Sequence, residues 1–119
     1  MQEYPMKISI LGTTYTIHEI ESADDVTFES FDVDGYTDCS THEIILRKKD
    51  KREPFDYANT EFERKKILRH EIIHAFFFES GLGFNSHSAD AFAVDEELID
   101  WIAAQFPKMV KAFAEVKCL

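Results

Sequence analysis

The chain is expected to fold as an α+β domain. An N-terminal antiparallel or mixed β-sheet packs on one helix carrying His70-Glu71-Ile72-Ile73-His74 and on a C-terminal helix. Three observations lead there. Apolar and polar residues alternate with strand-like period across much of residues 6–48. The apolar spacing becomes helical beyond residue 59, and a second helical stretch with an acidic beginning follows beyond residue 90. At 119 residues the chain is read as one domain, residues 1–119, long enough to bury a single ordinary core.

Each element has its own warrant. Residues 6–20 alternate around Gly12-Thr13, the pattern of a hairpin. Residues 26–33 (VTFESFDV) supply β-branched and aromatic side chains for another strand, and Asp34-Gly35 marks a turn. Residues 36–48 (YTDCSTHEIILRK) read as one further strand, followed by a polar connection at 49–58 that contains Pro54. Thr60-Glu61-Phe62-Glu63 has the spacing of a capping box, with Thr60 as the cap of a helix running to about Ser80. Gly81 suits the left-handed position that closes a helix, and Leu82 is placed to fold back on the last turn. The second half of this helix (Ile72, Ile73, Ala75, Phe76, Phe77, Phe78) is apolar nearly all round, which predicts that protein surrounds it. Residues 83–89 read as a loop. Residues 90–117 read as a second helical region that Pro107 breaks, with Phe92, Leu98, Ile99, Trp101, Ile102 and Phe106 as its packing face.

Composition excludes several functions. The chain is 45% hydrophobic with 11 phenylalanines, so it can fold rather than remain disordered. A formal net charge of −10 argues against a nucleic-acid partner, because that affinity comes from lysine and arginine neutralising phosphates. No apolar run approaches the ~20 residues of a membrane helix, and no cationic-plus-apolar leader opens the sequence. Cys39 and Cys118 lie far apart in no metal-type spacing, so a cytoplasmic location with both thiols reduced is expected.

The chemistry lies in residues 70–74. Two imidazoles four positions apart on a helix stand one turn above each other on the same face. From there both ring nitrogens can reach one cation at the ~2.0–2.1 Å of zinc–histidine bonds. Glu71 lies about 100° around the helix from His70, off the metal but beside a water bound to it, where a general base belongs. A near copy, His42-Glu43-Ile44-Ile45-Leu46, ends in leucine, cannot chelate and reads as strand. A catalytic zinc takes three protein ligands and keeps one position open. The C-terminal helix offers Glu96 as the third, with Asp100 four residues on to accept a hydrogen bond from a ligand histidine. Glu97, one step round that helix, is the alternative ligand.

His70-Glu71-Ile72-Ile73-His74 followed by Glu96, Asp100 and Ile102-Ala103 resembles the gluzincin class of zinc metallopeptidases. It is most similar to the small ImmA/IrrE-type peptidases and their single-domain phage and prophage relatives. The stretch from Gly35-Tyr36-Thr37-Asp38 to Ile44-Ile45-Leu46 resembles the strand along the active-site cleft of such enzymes. The resemblance covers roughly residues 35–106 and implies a minimal zincin-like fold and a Zn2+ ion on His70, His74 and Glu96. It also implies a protein or peptide substrate, and hydrolysis by a metal-bound water with Glu71 as base. An extended substrate would then add beside the strand at 36–48, with His87 and Tyr36 as candidates to stabilise the oxyanion. Ile99 stands where the family pattern has Ala, and no DNA-binding or sensor module is read here, so the chemistry carries over and a regulatory role does not. The competing expectation is a catalytically silent binding or inhibitory protein of phage type that keeps the fold.

Overall fold

A computed structural model describes residues 3–21, 24–31, 33–48, 58–85 and 95–119. Its architecture is α+β, with helices packed on a four-stranded mixed sheet. Strands β1 (Met6–Ile10) and β2 (Thr13–Glu21) form an antiparallel hairpin. Its two-residue turn is Leu11-Gly12, with φ of 49° and 89°, one residue earlier than the alternation suggests. Two consecutive positive φ values give the twist that tight hairpins require, and glycine adopts its share at no steric cost.

Residues 26–31 depart from expectation. They form a short helix, α1 (Val26–Phe31), rather than a strand. The Asp25 carboxylate accepts from the Thr27 amide at 2.9 Å, and the Asp25 carbonyl accepts from the Phe28 amide at 3.3 Å. Those bonds start a helical turn, and burial of Phe28 (1% exposed) against the Tyr36 ring, 5.8 Å away, holds it. Local capping plus one buried aromatic outweighs β propensity, which is a weak preference.

The stretch expected as one strand over 36–48 is two: β3 (Gly35–Asp38) and β4 (Glu43–Lys48), antiparallel to each other. The turn between them contains His42 at φ 57°. Sheet order is β1-β2-β4-β3, with β2 and β4 parallel. β4 is therefore interior and β3 lies at the edge, which moves the exposed strand edge to residues 35–38.

Alternation then sorts the faces. Ile10, Tyr15, Ile17, Ile44 and Leu46 form a buried cluster with Ala75 of the long helix α2 (Thr60–Glu79). Ile45 points the other way, beside its cross-strand partner Tyr36, on the face that also receives Phe28. Gly35 permits the close approach of α2. A Cβ there would meet the Ile45 carbonyl oxygen at 3.2 Å and Ile67 and Leu46 methyls at 3.3 Å.

The cap of α2 is Asn59, one residue before the expected Thr60; its side chain accepts from the Phe62 amide at 3.1 Å. Gly81, at φ 90°, donates to the Phe78 carbonyl at 3.0 Å and closes the helix as expected, and the short α3 (Leu82–Asn85) follows. The apolar end of α2 is enclosed only in part among the described residues: Ala75 is buried, whereas Phe76 is 42% exposed.

Helix α4 (Glu96–Glu115) runs through Pro107 without a break. Proline lacks the amide hydrogen that would bond the carbonyl four residues back, which is that of Ala103. Arg69 of α2 takes that place, its Nε donating to the Ala103 carbonyl at 2.6 Å. Thus the freed acceptor becomes a tie between helices. The packing face of α4 is Ile99 and Ala103, both 0% exposed, whereas Trp101 and Phe106 face solvent at 56% and 47%. Phe92 lies outside the described residues. Among those described, no helix is long and apolar enough to cross a membrane.

Candidate metal centre

Burial of Ala75 against the sheet fixes the rotation of α2, and with it the direction of residues 70, 71 and 74. Asp95 starts α4 by accepting from the Leu98 amide at 3.1 Å, which puts Glu96 in the first turn. The His70 and His74 rings lie 5.0 Å apart between centroids. His70 Nε2 is 2.8 Å from one Glu96 carboxylate oxygen, and His74 Nε2 is 2.9 Å from the other. The other ring nitrogen of His70, Nδ1, lies 3.3 Å from Asp100, whose second oxygen is 3.4 Å from Lys66 Nζ.

These contacts fit a cation on proton counting. Both nitrogens of His70 face carboxylate oxygens, yet a neutral imidazole carries one N–H. In this structure Nε2 makes the hydrogen bond, to Glu96; with a metal ion on Nε2 the N–H would move to Nδ1, which faces Asp100 at 3.3 Å. Burial pushes His74 below the usual imidazole range, outweighing the nearby Glu96, and so favours the neutral, ligating form. His70, His74 and Glu96 form a group that could hold a metal ion, their ligand atoms all within 4.8 Å of one another. Glu97, the alternative ligand, is exposed and outside that group.

Glu71 is the one buried charged residue among those described, 7% exposed. Burial pushes its carboxyl above the ordinary glutamate range, with His70 and the Thr37 hydrogen bond opposing. Thr37 of β3 places its hydroxyl 3.0 Å from the Glu71 side chain and 3.0 Å from the Glu71 main-chain carbonyl.

Two depressions meet here. One, of 510 Å3, is lined by Thr37, Cys39, His74, Phe77 and Phe78. The other, of 250 Å3, is lined by Asp34, Glu63, Lys66, His70 and Asp100. Val33, Gly35, Glu71 and Glu96 border both, so the cleft runs past His70, His74 and Glu96 along the edge of β3.

Of the oxyanion candidates, Tyr36 has its hydroxyl committed to Asp25, and burial with that bond pushes it up to about 12. His87 lies outside the described residues. The partial copy of the motif behaves differently: His42 sits in a turn against the Tyr15 ring at 5.3 Å, and Glu43 pairs with His18 at 3.0 Å. Sequence reasoning passed over Thr37 and Lys66. The signal for Thr37 is its period-2 relation to Gly35, which becomes readable once β3 is known to run beside α2.

No protein-family model matches the chain, and searches of curated proteins and of solved structures found no match either.

Proposed function

We propose that the protein is a zinc-dependent metallopeptidase with a zincin-like fold, related in chemistry to the gluzincins and the small ImmA/IrrE-type and phage peptidases. The observation that carries this reading is the convergence of both histidine Nε2 atoms on Glu96, beside a buried Glu71 and within an open cleft. Two nitrogens and one oxygen make the ligand set of a catalytic zinc with an open fourth position. A bound zinc ion would supply Lewis acidity and lower the pKa of water far below its bulk value, to roughly 7.

The chain's own groups do the rest. Glu71 takes a proton from the attacking water and returns it to the leaving amine. Asp100, 3.3 Å from His70 Nδ1, would favour the Nδ1–H tautomer once Nε2 holds the metal. An extended peptide aligns on β3 through main-chain hydrogen bonds. The Arg47 amide donates to the Asp34 carbonyl at 2.9 Å, and bonded and non-bonded pairs alternate along an antiparallel ladder. Gly35 and Thr37 therefore turn their main-chain groups toward the outer edge, ready for a substrate strand.

The test is Glu71→Gln in the zinc-loaded protein with a generic peptide substrate. A loss of about 10²–10⁴-fold with zinc retained is expected. Full turnover in that variant removes Glu71 from the mechanism, and zinc without turnover in the wild type favours a binding protein.

A further inference from the structure

We infer that Thr37 is a positioning residue that aims the Glu71 carboxylate and ties it to the strand on which substrate aligns, an inference that rests on the peptidase reading above. Its hydroxyl lies 3.0 Å from both the Glu71 carboxylate and the Glu71 carbonyl, and among the described residues it is the side chain that hydrogen-bonds that buried carboxylate. A carboxylate at this depth needs a donor, because an unsatisfied buried acceptor is costly. Thr37 supplies it from a neighbouring element rather than from α2 itself, so the direction of the base depends on the seating of β3 against the helix.

Two features strengthen the assignment. Gly35, two residues earlier on the same face, suits the close seating of α2, since a Cβ there would meet the Ile67 methyl at 3.3 Å and the Ile45 carbonyl oxygen at 3.2 Å. The main-chain groups of Thr37 face the open edge while its side chain faces Glu71, so one residue meets the peptide with its backbone and the base with its side chain. A hydroxyl both donates and accepts. The same oxygen can donate to the carboxylate before proton transfer. Afterwards it can accept from the carboxylic acid, turning its own hydrogen to the Glu71 carbonyl.

The experiment compares Thr37→Val, which keeps the side-chain shape, with Thr37→Ser, which keeps the hydroxyl, in the zinc-loaded full chain. The expected result is a 10- to 100-fold fall in kcat for valine with KM and zinc content unchanged, and recovery to within threefold for serine. Wild-type kcat in Thr37→Val, or equal losses in both variants, overturns the inference. A crystal structure of Thr37→Val gives a readout independent of turnover. The Glu71 carboxylate should leave its wild-type rotamer, and an unmoved carboxylate counts against the inference even if the wild type proves inactive. A displaced carboxylate in an inactive protein would instead sink the peptidase reading and leave the positioning role standing.

Discussion

The chain writes His-Glu-Ile-Ile twice, and the two copies do different things. At 42–45 the letters span a turn and the start of β4; at 70–73 they lie within α2. In the strand, successive residues face opposite sides, so Ile44 enters the cluster under α2 and Ile45 faces the other side beside Tyr36, at 0% and 6% exposed. Glu43 stays half-buried and pairs with His18. In the helix, positions four apart share a face, so His70 and His74 reach the same carboxylate while Glu71 is driven inward. Letters do not determine chemistry; the backbone period on which they are written does. The fifth residue, leucine or histidine, then decides whether a metal ion can be held.

Changes that exchange the two contexts test this contrast. The largest effect is expected from His74→Leu, which turns the helical copy into the strand copy. Stoichiometric zinc binding should vanish, as read by metal content after dialysis, and retention of one zinc per chain would break the comparison. With zinc at 1,000 times its dissociation constant, the wild type should gain about 4 kcal/mol of unfolding stability, and a chelator should remove that gain. Thermal melts of His74→Leu should show no such response.

Two smaller effects sharpen the account. Asp100→Asn should weaken zinc binding by about 10–100-fold, the usual consequence of removing a carboxylate that orients a ligand histidine. Arg69→Met keeps the length of the side chain but leaves the Ala103 carbonyl without its donor, which should cost about 1–3 kcal/mol in denaturant unfolding. Glu43→Gln breaks a half-exposed pair with His18 and should change stability by no more than about 1 kcal/mol, with zinc binding untouched.

What could be read from sequence follows from how local the physics is. The hairpin, α2 and its glycine closure depend on spacing within a few residues, and such patterns are legible. The grouping of His70, His74 and Glu96 is readable because two of its members lie one turn apart and the third begins the next long helix, where acids are favoured by the helix dipole. Features set by contacts between distant segments were hidden. Nothing near Val26 says that Phe28 will be buried under Tyr36, and the Asp25 cap looks like any turn residue until Tyr36 arrives to bond it. Pro107 signals a break in isolation, because the donor that replaces its missing amide hydrogen comes from Arg69 on another helix. Thr37 was overlooked for the same reason. Its role exists only because the sheet order places β3 at the edge beside α2.

The most direct test of the central claim is the first coordination shell of zinc in the loaded wild-type protein, measured by X-ray absorption. The account predicts one zinc per chain with two imidazole nitrogens and a carboxylate oxygen at about 2.0–2.2 Å, and a solvent oxygen completing the shell. A shell with fewer than two imidazoles, or one closed by a fourth protein ligand, would contradict it.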